Sequence, residues 1–117
     1  MIYEFDKQDT RKIENILEEQ VIFSIDDYAG EYNVPFELEI EITGNNDELY
    51  VLLLKGSYVT ILKEYGNGIT TPRETETVSS GLYIETYEVI DEYGEDISDD
   101  TNIEDIVEYL EDIYTIN

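Results

Sequence analysis

Residues 36–55 read FELEIEITGNNDELYVLLLK and predict a β-hairpin. From residue 36 to residue 43, apolar side chains alternate with polar ones, as in a strand with one buried and one solvated face. The segment GNND at residues 44–47 is a strong turn signal. Residues 49–54 are almost continuously apolar, which fits a central strand covered on both faces, although a buried helical segment has the same pattern.

The sequence after this hairpin predicts further strands. Gly56-Ser57 indicates a second tight turn into a strand over residues 58–64. Residues 65–80 are rich in Gly, Thr and Ser and predict an exposed loop, with an irregular edge strand near residues 75–78. Residues 82–90 predict another strand, whose buried face is ambiguous. A short β-branched run at residues 21–25 is a weaker strand candidate, and residues 2–5 are either a short strand or an apolar clasp.

Helices are predicted near both termini. Asp6 is a candidate N-cap, with Asp9 in the first turn, for a helix over residues 7–20. Thr101 followed by Glu104 predicts a capping box for a second helix. The apolar residues of that helix recur at spacings of three and four, as in an amphipathic helix packed on a core: Ile103, Ile106, Val107, Leu110, Ile113 and Tyr114.

Length and composition bound the architecture. The 117 residues fit one domain, spanning residues 1–117, and the 35 Leu, Ile, Val and Phe residues suffice for a hydrophobic core. Ile and Val together outnumber Leu, which favours strands. The predicted fold class is therefore α+β, an antiparallel sheet of four or five strands with an N-terminal and a C-terminal helix packed on it.

The charge balance is extreme, with 6 Lys and Arg against 30 Asp and Glu and a net charge of −24. Such a surface repels the phosphates of nucleic acids and of anionic membranes, so neither is expected as a direct partner. The expected partner is basic. The first residues lack the pattern of an export signal, and the sequence contains no apolar run long enough to span a membrane, so a cytoplasmic location is expected.

Catalytic and cofactor chemistry is not predicted. The sequence contains no His and no Cys, which removes the common nucleophile–base pairs and metal sites. The acidic segment beginning at Asp91 fails the calcium-loop pattern, because its sixth residue is Asp96 where that loop needs Gly. Paired carboxylates carry little information among 30 acids. We therefore expect no enzyme, no catalytic residue, no metal site and no cofactor.

Two acidic surfaces are the candidate binding sites. Glu37, Glu39 and Glu41 form a row on the solvated face of the predicted strand. In the second helix, acids at i and i+4 repel one another with no nearby cation, which is locally unfavourable and points to a binding role. The remaining candidates belong to this helix and to the acidic segment before it, residues 91–100, which we call the acidic approach. They are Asp91, Glu92, Tyr93, Glu95, Asp96, Asp99, Asp100, Glu104, Asp105, Glu108, Tyr109, Glu111 and Asp112. We expect the strand row and the helix to form one continuous surface.

In size, charge, lack of His and Cys, and acidic rows, the chain resembles the DNA-mimic inhibitors of phages and mobile elements, which include anti-restriction and anti-CRISPR proteins. The resemblance includes no sequence motif and implies no particular fold. It implies a non-catalytic inhibitor that occupies the basic cleft of a nucleic-acid-binding defence protein. The expected target is a CRISPR-Cas effector, and after it a restriction enzyme.

One alternative belongs to a different class of protein. An immunity protein or antitoxin that neutralises a cognate nuclease toxin is also small and acidic, but it relies on tyrosine-centred contacts more than on total charge. The 11 tyrosines, several of them next to acids, suit this interpretation. The sequence also leaves open whether two copies pair as a homodimer.

Overall fold

The computed structural model describes residues 1–25, 28–66 and 74–116. In these residues, two α-helices pack on one three-stranded antiparallel sheet of order β1-β2-β3. Helix α1 spans Lys7–Gln20 and helix α2 spans Ile103–Ile113. Strand β1 spans Gly30–Thr43, β2 spans Leu49–Tyr65 and β3 spans Glu74–Ile90. The α+β class is correct, but the expected four or five strands are not found in the described part of the chain.

The strand count was wrong because β2 runs straight through Gly56-Ser57, where a turn was predicted. The pairing of β2 with β3 shifts register there: Lys55 lies opposite Thr86 and Gly56 opposite Ile84, so Glu85 is an extra residue in β3. A Cβ on Gly56 would lie 2.0 Å from the carbonyl oxygen of Tyr83. This glycine therefore permits a close backbone approach at a bulge, which is a different use of glycine from a turn.

Two other strand predictions were also inaccurate. Part of the loop predicted at residues 65–80 is strand, since β3 begins at Glu74, while residues 67–73 of that loop lie outside the described residues. The candidate strand at residues 21–25 is instead a 3-10 turn over Ile22–Ser24. Near the N-terminus, Tyr3 forms an isolated parallel bridge with Thr101.

The start of α1 was predicted correctly. Asp6 is its N-cap and accepts a hydrogen bond from the backbone N–H of Asp9 (2.9 Å), while the Asp9 carboxylate accepts from the Asp6 N–H (3.1 Å). The capping box predicted for α2 is wrong, because Asn102 is its N-cap and makes no side-chain capping bond. The Asn102 amide is instead bonded to the backbone N–H and carbonyl of Phe5, which ties the N-terminus to α2.

Both helices cover the same face of the sheet. In β1 the side chains alternate strictly from Phe36 to Ile42, with even-numbered residues buried and odd-numbered residues exposed. The buried side chains of the strands form one core with those of the helices, which include Ile13, Leu17, Ile103, Val107 and Leu110. We call this side the helix face and the opposite side of the sheet the open face.

The predicted burial of residues 49–54 on both sides was half right. Tyr50, Leu52 and Leu54 are buried on the helix face, whereas Val51 and Leu53 point to the open face and are only half-buried. The bulge also explains the ambiguous face of β3. Leu82 and Ile84 contribute to the core before the extra residue Glu85, and Tyr87 and Val89 contribute after it, so the alternation changes phase.

The protein is a rod. Its principal-axis extents are 60 × 23 × 19 Å and its radius of gyration is 17.3 Å, whereas a compact domain of this length has a radius of gyration of about 13 Å. The long axis follows from the 17 residues of β2, which at about 3.4 Å per residue span roughly 55 Å. Among the described helices, none has the length and apolar character needed to cross a membrane.

Candidate functional site

The acidic strand row lies on the open face, where the sequence placed it. Glu37, Glu39 and Glu41 are exposed and alternate with buried core residues of β1. Across the sheet, Glu37 lies opposite Lys55, and their side chains form an ion pair of 3.7 Å between Nζ and Oε1. Both groups are largely exposed, so this pair contributes little to stability. The row presents its carboxylates on a rigid backbone.

The acidic arc of α2 lies on the helix face, on the side of the helix that points away from the core. Glu104, Asp105, Glu108 and Asp112 are exposed, as predicted. Glu111 differs from them because it is half-buried and its Oε2 accepts a hydrogen bond from the backbone N–H of Ile84 (3.1 Å). This carboxylate therefore anchors the end of α2 to the outer edge of β3, and we assign it a structural role.

The acidic approach to α2 is a set of tight turns. Asp91 accepts hydrogen bonds from the N–H groups of Tyr93 and Glu95 (2.9 Å each), and Gly94 adopts a left-handed φ of +82° in the same turn. Asp96 accepts from both the N–H and the hydroxyl of Ser98, and these bonds lower the pKa of Asp96. The carboxylates of Asp91 and Asp96 are thus used in local structure.

The other candidates in this approach are available to a partner. Tyr93 is 83% exposed at the tip of its turn, and the same segment carries the exposed acids Glu92, Glu95, Asp99 and Asp100. Asp99 and Asp100 belong to a 3-10 turn over Ser98–Asp100, whose last carbonyl accepts the N–H of Ile2 (2.7 Å). The turn is therefore held against the N-terminal segment.

The structure contradicts the expectation of one continuous acidic surface. Because Glu37, Glu39 and Glu41 project from the open face and α2 lies on the helix face, the sheet separates the two sets of carboxylates. Period-two alternation forces this separation, since every residue between two core residues of a strand must point away from the core. Negative charge is consequently displayed on both sides of the rod.

The linear charge density of the rod is high. A net charge of −24 over a length of 60 Å gives one net negative charge per about 2.5 Å. A DNA duplex carries one charge per about 1.7 Å of its axis. The protein therefore reaches about two-thirds of the charge density of a naked duplex. At physiological salt, charges interact over about 8 Å, so neighbouring charges on the rod act together.

Two tyrosines join the helices on the helix face. The Tyr109 hydroxyl donates a hydrogen bond to Glu14 (2.8 Å), and this bond raises the pKa of Tyr109. The Tyr114 hydroxyl donates to Glu18 (3.0 Å), and burial together with this bond raises the pKa of Tyr114. Tyr109 is still 45% exposed. Its hydroxyl nevertheless has an intramolecular partner, which makes Tyr93 the better candidate for contact with another protein.

One feature of the open face was missed in the sequence. Two pairs of apolar side chains lie on the middle strand, Val51 with Leu53 and Val59 with Ile61, separated on the same face by Lys55 and Ser57; we call the four apolar residues the apolar stripe. These residues are half-buried and do not pack against the core. The unbroken apolar run at residues 49–54 was the available signal, but it was interpreted as burial on both faces.

The described residues bring together no group of three or more Asp and Glu that could hold a metal ion. A surface depression of about 490 Å³ is lined by Glu39, Leu53 and Glu88, among other residues. No protein-family model matches the chain, and no similar protein was found among the curated proteins or the solved structures. Its function therefore has to be inferred from its own shape, charge and contacts.

Proposed function

We propose that this protein is a non-catalytic inhibitor that mimics nucleic acid. It binds the basic cleft of a nucleic-acid-binding defence protein and excludes the natural substrate. The first target class is a CRISPR-Cas effector and the second is a restriction enzyme. The inhibitor acts in the cytoplasm of a bacterial host cell, where such enzymes meet foreign DNA.

The observation that carries this proposal is the combination of rod shape and charge density. A length of 60 Å corresponds to about 18 base pairs at roughly 3.4 Å per step. A cleft that binds duplex DNA recognises mainly a linear array of negative charge and gains affinity by releasing counterions. A rigid rod with one charge per about 2.5 Å meets both requirements. Charge on both sides suits a cleft that surrounds its ligand.

The first test measures binding to purified effectors as a function of salt, with and without competing duplex DNA. We expect the logarithm of the affinity to fall steeply and linearly with the logarithm of salt concentration, and duplex DNA to displace the protein. Affinity that is insensitive to salt and to competing DNA would refute nucleic-acid mimicry.

A charge-reversal variant sharpens this test. Glu104, Glu108 and Asp112 are exposed on α2, so replacing all three with Lys changes the net charge from −24 to −18 without touching the core. Glu111 is left unchanged because it accepts the Ile84 N–H. We expect a loss of inhibition of at least about 100-fold if each reversal removes roughly 1 kcal/mol of favourable interaction. Circular dichroism verifies that the variant is folded.

The exposure of Tyr93 favours a second candidate, an immunity protein or antitoxin that neutralises a nuclease toxin. An aromatic side chain that is 83% exposed and has Glu92 and Glu95 as sequence neighbours has the character of an interface hot spot. In that case Tyr93→Ala would weaken binding of the toxin more than the triple reversal on α2 does. Under nucleic-acid mimicry, the order of the two effects is reversed.

A further inference from the structure

We propose that the open face of the sheet is a docking site for a single amphipathic α-helix with an apolar seam and Lys or Arg on both flanks. This goes beyond nucleic-acid mimicry, because the apolar stripe has no counterpart on a phosphate backbone. It is also independent of whether the partner binds nucleic acid.

The first support is the order of side chains across the sheet. In one row, Leu53 lies between Glu39 on β1 and Glu88 on β3, and all three point to the open face. In the next row, Val51 lies between Glu41 and Ile90. An apolar centre is thus bordered by carboxylates on one or both sides, which is complementary to a helix with an apolar seam and cationic flanks.

The second support is the width of the face. Glu39 and Glu88 are separated by two strand spacings, or about 10 Å. An α-helix with its side chains is about 10–12 Å wide. A helix lying along Leu53 would therefore bring its flanking cations close to both carboxylates. Helices are the elements that ordinarily cover a sheet face, as α1 and α2 do on the other side of this sheet.

A second copy of this chain is a poor occupant of the face. Stacking two open faces would bring two sets of Glu37, Glu39, Glu41 and Glu88 into one interface. The cation on these rows, Lys55, is already paired with Glu37. Like charges brought together at an interface oppose association. The charge pattern therefore selects a cationic partner over a homodimer.

The experiment uses a 14-residue peptide of Leu and Lys, patterned so that Leu forms one face of a helix, and a scrambled peptide of the same composition. Fluorescence anisotropy gives the affinity of the intact protein for each peptide. We expect the patterned peptide to bind at least about tenfold more tightly, because only it presents an apolar seam. Equal binding of the two peptides would overturn the proposal.

Two charge variants locate the site with a matched control. Glu39→Gln with Glu88→Gln removes two acids from the open face, and Glu104→Gln with Glu108→Gln removes two from the helix face, so each changes the net charge from −24 to −22. We expect the first pair to weaken peptide binding about tenfold and the second by less than about twofold. Equal effects would show binding to the overall charge and overturn the proposal.

A third variant tests the apolar stripe itself. Val51→Thr, Leu53→Thr and Val59→Thr together keep strand-favouring side chains while making the centre of the face polar. We expect binding of the patterned peptide to weaken about tenfold with an unchanged dependence on salt, because no charge is lost. Unchanged affinity would overturn the proposal, as would sedimentation showing a dimer of the wild-type protein that this variant dissociates.

Discussion

Both faces of the sheet carry exposed acids, but the two faces differ in the residues that accompany them. On the helix face, the acids of α2 lie above the buried core, and the partly exposed Tyr109 lies on the same helix. On the open face, the acids border an apolar stripe that is only half-buried. The helix face can therefore attract a cationic surface through charge alone. The open face can also bury apolar area, and this contribution to binding affinity persists at high salt.

The largest expected effect comes from Gly56, which permits the close approach of β3 at the bulge where the alternation of β3 changes phase. Gly56→Ala places a Cβ 2.0 Å from the Tyr83 carbonyl oxygen, so the bulge has to open. We expect a loss of about 4 kcal/mol in the free energy of unfolding, or failure to fold. Urea denaturation measures this loss.

Gly81→Ala is the control for this variant. The three heavy atoms nearest to its Cβ would all belong to the exposed Tyr83 side chain, at 3.0–3.1 Å, and a side chain can move aside more easily than backbone. A similar loss for both variants would mean that the close approach at Gly56 is not the cause.

The next largest effect is a difference in stability loss between two adjacent leucines that point to opposite faces of the sheet. Leu54 is 2% exposed in the core, whereas Leu53 is half-buried on the open face. We expect Leu54→Ala to cost about 3 kcal/mol and Leu53→Ala about 1 kcal/mol, because only the first leaves a cavity. Urea denaturation of the two single variants measures the difference. Equal losses would mean that the open face is packed as tightly as the core.

A smaller effect concerns the tyrosines that join α2 to α1 on the helix face. The pKa of Tyr114 is raised by folding, so the unfolded chain loses this proton first as the pH rises above about 10. The unfolded state then binds fewer protons than the folded state, and stability falls with rising pH. Thermal denaturation between pH 8 and pH 11 should show this decline.

Tyr114→Phe separates the hydrogen bond from the titration. The variant should lose about 1 kcal/mol near pH 8, because the bond to Glu18 is gone. Its stability should then decline less steeply above pH 10 than that of the wild type. A decline as steep as in the wild type would assign the alkaline effect to other groups, such as Tyr3, whose pKa is also raised by burial.

The smallest expected effect comes from the acids of α2. Glu108 has like charges four residues away on both sides, at Glu104 and Asp112. Glu108→Gln should therefore raise the free energy of unfolding by about 0.5 kcal/mol at low salt. The gain should disappear in 1 M salt, where charges are screened beyond about 3 Å. A gain that persists at 1 M salt would point to a cause other than repulsion.

The local features of the fold were predictable from the sequence. The limits of α1, its capping by Asp6 and the alternation along β1 all follow from side chains that act within a few residues of one another. The exposure of the acids on α2 was also predictable, except at Glu111. Glu111 could not be assigned in advance, because its partner, the backbone N–H of Ile84, is distant in the sequence.

The strand count was not predictable for a related reason. Glycine is common at both turns and bulges. Gly56 lies opposite a bulge only because the backbone of β3 packs against it at Tyr83. The capping of α2 was mispredicted because the Asn102 side chain bonds to Phe5, nearly the whole chain away. In both cases a contact between distant segments overrode a local signal.

The sequence by itself determined that this protein is a strongly acidic α+β domain with two helices and a hairpin, because composition and periodicity are properties of the chain alone. Only the tertiary structure decided which carboxylates share a surface. The placement of α1 and α2 on one side of the sheet sends Glu37, Glu39 and Glu41 to the other side and leaves the apolar stripe beside them. The physical reason is that alternation along β1 sets which of its side chains leave the core, whereas only the packing of distant segments brings α2 onto the core side of the sheet, away from those side chains.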